Sequence, residues 1–334
     1  MKYYKLLKIN HFIKNDRIKL LGLYLLHALN QRYLAVHFDP VNACNLRCKM
    51  CYFTDKDYVK KLKGIFPEDE LPLLAKAILK RAIKLQIGCG TEPTLYKNLE
   101  KVMLLAKENN VPYVSLTTNA NTIEKDTLEK WCAAGLNEIT VSLHGTTKET
   151  YEEMMGRGNF DRFLQSLTYI TEIKKQYPDL QLRINYTFNE DNFEELGLFG
   201  EVFNNIDINT LQIRPISKLG NTAYNNFSMD KIIPKYKNIY DKLKTDCKEQ
   251  NTLFIAPEIN QLKDTFSNSS IVYNYTYCYI SPTSFWKKDF DWKNETFNQF
   301  SKRIGYGTDL LKMVFSSKEK LKQLLNDKLK YNIN

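Results

Sequence analysis

No stretch of about 18 consecutive apolar residues occurs in the 334-residue chain, so no segment is long enough to cross a bilayer as a helix. The N-terminus has no uninterrupted apolar core and no small-residue cleavage site, and no secretory leader is expected. Runs of about five or six like charges are also missing. The formal charge of +10 and the pI near 9.0 come from lysines scattered among acids. That pattern implies a solvated basic surface suited to an anionic substrate or partner, and it disfavours nucleic acid, which calls for clustered cations. The cysteines form no regular disulfide framework, and only Cys247 and Cys278 follow residue 132. A reducing, cytoplasmic setting is therefore expected, with the protein soluble or in peripheral contact with a membrane.

What is present is concentrated in Asp39-Pro40-Val41-Asn42-Ala43-Cys44-Asn45-Leu46-Arg47-Cys48-Lys49-Met50-Cys51-Tyr52-Phe53. Cys44, Cys48 and Cys51 are spaced C-x3-C-x2-C, with no histidine or further cysteine close by. A closed zinc site wants four protein ligands, and an ordinary [4Fe–4S] cluster wants four thiolates. Three thiolates in one tight loop suit a cubane whose fourth iron stays open to a substrate or cofactor. A thiol-lined zinc or redox loop is the other reading of the spacing.

Strands and helices alternate after this point. Residues 33–38, 84–88, 112–117, 138–143, 180–188 and 210–214 read as strands, with helices expected over 98–108, 124–134, 161–176 and 193–203 and one opening at Pro67. Alternation at these lengths implies a parallel sheet with helical crossovers. Functional groups in such folds gather beyond the strand C-termini. The cysteine loop, Gly88–Pro93, Thr118-Asn119, Ser142–Gly145 and Arg214 all fall there, with Arg183 and Asn185 on the fifth strand. Three regions follow: a basic helical segment 1–32, a core 33–225, and an extension 226–334. In the first, Leu21, Leu25 and Ala28 recur at helical spacing. They fit a helix packed on the exterior of the core or a basic amphipathic helix lying on a membrane. In the last, Trp286, Phe290, Trp292, Phe297 and Phe300 suit either a lid that excludes water or a stacking surface, and a helix is expected over 310–329.

C-x3-C-x2-C followed by the aromatic Tyr52 resembles the signature of the radical S-adenosylmethionine (radical SAM) enzymes. The resemblance, over residues 33–215, implies an α/β fold: a partial (β/α)6 parallel barrel with an N-terminal helical segment and a C-terminal α+β cap. It implies a [4Fe–4S] cluster on Cys44, Cys48 and Cys51, and S-adenosylmethionine on the open iron, cleaved to a 5′-deoxyadenosyl radical that takes hydrogen from a substrate. Gly90-Thr91-Glu92-Pro93 stands where the family carries G-G-E-P around the SAM amino group, with Thr91 in place of the second glycine. Ser142 and Arg157 resemble the family's contacts to the SAM carboxylate, a task that suits a guanidinium. Tyr52 would present its backbone to the adenine. Asn119, Asn185 and Arg183 are candidates for ribose or substrate contacts.

His144 is a candidate for substrate binding or proton transfer, and Cys278 for hydrogen donation to a substrate radical. The two cysteines after residue 132 are too few for the auxiliary clusters of some relatives, so the extension reads as a cap without a second cluster. Implied partners are a peptide or small-metabolite substrate and an external one-electron reductant such as flavodoxin or ferredoxin. Two other classes stay open: an RNA-modifying member of the family, and a non-catalytic iron–sulfur or zinc protein.

Overall fold

The computed structural model describes residues 12–217, 220–262 and 271–321. Nine strands form one sheet: β1 (Leu34–Phe38), β2 (Ala82–Ile87), β3 (Val114–Thr118), β4 (Glu138–Leu143), β5 (Gln181–Phe188), β6 (Thr210–Pro215), β7 (Leu253–Ile255), β8 (Tyr277–Ser281) and β9 (Ser284–Phe285). Their order is β9-β8-β1-β2-β3-β4-β5-β6-β7, and every neighbouring pair is parallel except β8 with β9. The six expected strands are all present and adjacent in chain order. The sheet runs from edge to edge, so among the described residues the strands do not pair into a closed ring.

Period-two patterning explains the layering. Val36, Phe38, Leu85, Ile87, Leu116, Ile139, Val141, Leu182, Ile184, Leu211 and Ile213 are buried on the helical side of the sheet. The register sets His37 beside Gln86, Ser115 beside Glu138, Thr140 beside Arg183, and Asn185 beside Gln212 on the other face. That face is the concave interior, and its residues are mostly polar. The helices match their side of this arrangement. Phe160–Lys174 buries Phe163, Leu167, Ile170 and Ile173 at three- and four-residue spacing, and Asn159 caps it by accepting from the Arg162 N–H.

Two expectations change. The division at 225/226 is not a division of the sheet, because β7, β8 and β9 come from the extension and lengthen the sheet at both ends. The aromatics of 285–300 pack into the protein: Phe285 stacks on Trp292 at 5.2 Å, Trp292 meets Phe66 at 5.7 Å, and Phe297 and Phe300 are buried. In the N-terminal helix Asp16–Ala28, Leu20 and Leu23 are buried, while Leu21, Leu25 and Ala28 face outward. Of the helix expected over 310–329, Tyr306–Val314 forms, and residues from 322 onward lie outside the described ones.

Candidate functional site

The cysteine loop leaves the C-terminal end of β1 and folds onto itself. Cys51 N–H donates to the Cys48 carbonyl at 2.9 Å. Arg47 Nη1 donates to the carbonyls of Cys44 (2.8 Å) and Leu46 (2.7 Å). The Leu46 N–H points at Cys44 Sγ, 3.4 Å away. Arg47 and Cys48 also form a short antiparallel ribbon with Gly156 and Met155, which sets Arg157 beside the loop. Arg157 is exposed and has φ +71°, a left-handed conformation that costs a non-glycine residue roughly 1 kcal/mol.

Burial, and the neighbouring thiols, raise the thiol of Cys44 to about 12 and that of Cys48 well above its ordinary value; Cys51 is raised by burial too. Left alone, these groups stay protonated. A bound cationic centre reverses that balance, because the thiolate is the ligand. Among the described residues no three His, Cys, Asp or Glu side chains converge closely enough for a single metal ion.

Two buried carboxylates fix the neighbouring turn. Asp39, at the end of β1, is fully buried. It accepts from Cys89 N–H (2.7 Å), Gly90 N–H (3.1 Å), Thr91 Oγ1 (3.1 Å) and Tyr279 Oη (2.8 Å). Glu92 accepts from Thr94 N–H (3.2 Å), Thr94 Oγ1 (2.6 Å), Thr118 Oγ1 (2.7 Å) and Asn119 N–H (2.8 Å). Glu92 therefore holds the turn against β3 instead of turning toward a ligand cation. Its own N–H donates to Ala43 at 2.9 Å, and the Tyr52 hydroxyl donates to the Gly90 carbonyl. Turn and cysteine loop are thus tied directly. Gly88 has φ +81°, and a Cβ there would sit 2.4 Å from the Thr117 carbonyl, so only glycine fits.

Asn119 faces the cysteine loop: Nδ2 donates to Asn45 Oδ1 at 2.8 Å and lies 4.0 Å from Cys44 Sγ, while Oδ1 accepts from Asn121 N–H. Ser142 pairs in register with Asn185 on the concave face. Asn185 Oδ1 and His144 Nδ1 are buried without hydrogen-bond partners, as is Ser115 Oγ deeper in the sheet. Burial, and Arg214 nearby, lower His144 to about 4, so it is neutral at physiological pH. Arg214 is exposed at the rim, with Nε donating to Thr187 Oγ1 at 3.1 Å. Arg183 is engaged lower down, with Nη2 3.4 Å from Glu138 Oε2 and Nη1 donating to Gln212 at 3.1 Å.

Cys278 is on the wrong side of the sheet for hydrogen donation to a ligand in the interior. It pairs with Val36 in β1, is fully buried in the apolar core, and lies electrostatically near Tyr33 and Tyr306. The interior thiol is that of Cys89, 3.5 Å from His37 Nδ1. Sequence reasoning also missed Asp39, Arg47 and Tyr279. Asp39 had a visible signal, an acid at a strand end just before the loop. Tyr279 had none, since its partner is 240 residues away.

Residues 39–197 match the profile of the Radical SAM superfamily. Those residues, just under half of the chain, form a radical SAM domain. Members of this family use a [4Fe–4S] cluster and S-adenosylmethionine. Among curated proteins, this chain is similar to the probable GTP 3′,8-cyclase of Saccharolobus solfataricus, 27% identical over 179 residues, covering 54% of this chain and 56% of that one. The same-named protein of Metallosphaera sedula is 26% identical over 54% of each chain. The chain thus spans about half the length of the curated relatives it matches. Among solved structures it is similar to Streptococcus suis SuiB bound to S-adenosylmethionine (TM-score 0.60, 18% identity, 90% of this chain and 69% of that one). It also resembles anSMEcpe with bound AdoMet and the Cp18Cys peptide (TM-score 0.58, 19% identity, 87% and 85%). These likenesses establish the radical SAM fold.

Proposed function

We propose that the protein is a radical SAM enzyme in which Cys44, Cys48 and Cys51 ligate a [4Fe–4S] cluster beside S-adenosylmethionine. Cluster and S-adenosylmethionine together supply a 5′-deoxyadenosyl radical, which takes a hydrogen atom from the substrate. In this reading the chain's own residues position and shield. Asp39 and Glu92 hold the Gly90–Pro93 turn so that its backbone acceptors face the ammonium of the methionine moiety. Arg157 and Ser142 receive the carboxylate, Tyr52 flanks the adenine with its backbone, and Asn185 turns its unpartnered Oδ1 toward a hydroxyl. Asn119 orients the cysteine loop through Asn45. His144, neutral and with Nδ1 open, hydrogen-bonds substrate at the rim.

The observation that carries the reading is the direct tie between the three-cysteine loop and the turn, through Glu92 N–H to Ala43 and Tyr52 to Gly90. Anaerobic reconstitution with iron and sulfide, followed by SAM and a strong reductant, tests it. The wild type should carry about four irons per chain and release 5′-deoxyadenosine or show a SAM-dependent change in its EPR spectrum. The Cys44/Cys48/Cys51→Ala variant should do neither. A wild type without a cluster, or with one indifferent to SAM, overturns the proposal.

The proposed substrate is a peptide or small metabolite, with electrons from a flavodoxin or ferredoxin. Among metabolites, a purine nucleoside triphosphate is the first to try. The curated relatives bear the name GTP 3′,8-cyclase, and the exposed Arg214 at the rim suits an anion. Loss of GTP with appearance of a cyclised product by mass spectrometry would support that choice. Turnover of SAM with GTP recovered intact would return the search to peptides.

A further inference from the structure

The helix Asp16–Ala28 is apolar on two sides. Leu20 and Leu23 are buried, and the helix packs on Tyr306–Val314. On its other side Ile18, Leu21, Leu25 and Leu29 are 54%, 42%, 50% and 67% exposed. Three- and four-residue spacing puts these four on one face. Gly22 and Ala28 share that face, so no charged residue interrupts it. A further exposed apolar residue stands near the start of this helix. Arg17 Nη2 donates to the Ser316 carbonyl at 3.0 Å, and this brings Phe315, 79% exposed, to the same end of the helix. Single exposed leucines are ordinary; a contiguous stripe joined by an exposed aromatic marks a contact surface.

Charge decides what covers it. Lys2, Lys5, Lys8 and Lys14 precede the helix in the sequence with no acid among them, Lys19 is turned inward against Asp16 at 3.7 Å, and Lys318 and Lys320 flank Glu319 after Phe315. A second copy docked on this face would bring two cationic segments together, which Coulomb repulsion opposes. A surface of anionic headgroups above an acyl boundary fits both features at once. The leucines and phenylalanine enter the boundary, and the long basic side chains reach the phosphates. Among the described residues no helix is long and apolar enough to cross a membrane, so the contact lies in the plane of the surface.

We propose that the outer face of Asp16–Ala28, with Phe315, docks the protein on an anionic lipid bilayer. This face shares no residue with the cluster site and is independent of the chemistry proposed there.

Sedimentation of the full chain with vesicles of phosphatidylcholine, with and without phosphatidylglycerol, tests the proposal. Leu21→Ser/Leu25→Ser is compared with Leu104→Ser, an exposed position on the helix Leu99–Glu108. The wild type and Leu104→Ser should pellet with the anionic vesicles, less so at high salt. The double variant should bind at least about tenfold more weakly with an unchanged melting temperature. If that variant melts early, Ile18→Ser/Leu29→Ser replaces it. Three results overturn the proposal: protein that stays in the supernatant, vesicle binding that survives loss of the leucines, or a wild-type dimer that the substitutions convert to monomer.

Discussion

The two halves of the concave face treat their polar groups differently. Around β1, β2 and β3 each buried carboxylate is saturated: Asp39 and Glu92 accept four hydrogen bonds each from backbone and side chains of the loops they anchor. At the ends of β4 and β5, His144 Nδ1 and Asn185 Oδ1 are buried with no partner. A buried polar atom without a partner costs about 1–3 kcal/mol. Apart from Ser115 Oγ deeper in β3, the first half is therefore a finished frame that sets loop geometry before any ligand arrives. The second half keeps unused hydrogen-bonding capacity, which on the proposed function a ligand satisfies.

The comparison breaks most readily below the site. Glu138 is buried and accepts from Tyr113 Oη at 2.9 Å, with Arg183 3.4 Å away, and it raises the ionisation of the buried Lys84, which desolvation otherwise lowers. Glu138→Ala leaves two buried cations without their carboxylate and should cost about 3–5 kcal/mol in urea denaturation. A loss under about 1 kcal/mol would mean water already serves that layer. Asp39→Asn should cost about 2 kcal/mol, because an amide offers one acceptor oxygen where four donors converge. On the reading proposed above it should weaken SAM binding while leaving reconstituted iron content intact. Equal loss of both would show that Asp39 supports the whole loop rather than the turn.

Acid should act through the interior imidazoles. Burial, with Lys84 nearby, lowers His37 to about 3, and burial with Arg214 lowers His144 to about 4, each from an ordinary value of 6.5. The unfolded chain then takes up these protons first. Stability is full above about 6.5 and declines as pH falls toward about 4. Melting temperatures across that interval should fall less steeply for His37→Gln/His144→Gln than for wild type, and parallel curves would contradict the buried-neutral assignment.

Smaller effects sharpen the contrast. Arg157→Gly relieves the left-handed strain and should raise stability by up to about 1 kcal/mol while weakening SAM binding at least about tenfold. A variant with unaltered SAM affinity would remove Arg157 from the carboxylate site. Asn185→Ala removes an unpartnered atom, so thermal stability should shift by less than about 1 kcal/mol, whereas ligand affinity should drop. A large loss of stability would place Asn185 with the frame.

Much of this was legible in the chain itself. The spacing of Cys44, Cys48 and Cys51 marked the loop, and period-two alternation located the six core strands, because both are local properties of sequence. The N-terminal helix shows where local pattern stops. Leu21, Leu25 and Ala28 form as good an apolar stripe as the buried pair Leu20 and Leu23, and only the packing of Tyr306–Val314 selects which side is covered. Arg183 likewise looked available for a ligand until Glu138, from the neighbouring strand, claimed it.

Residue spacing alone determined the three-thiol loop and the parallel α/β rhythm, since both are set by bonded geometry and near neighbours, whereas the glycine at position 88 is required by the Thr117 carbonyl of a neighbouring strand. Tertiary structure decided that Tyr279 closes the Asp39 hub, that Cys278 faces the helices while Cys89 faces the interior, and that β8 from the extension completes the sheet beside β1. Those outcomes depend on which distant strand pairs in which register, and a shift of one residue exchanges the two faces of a strand.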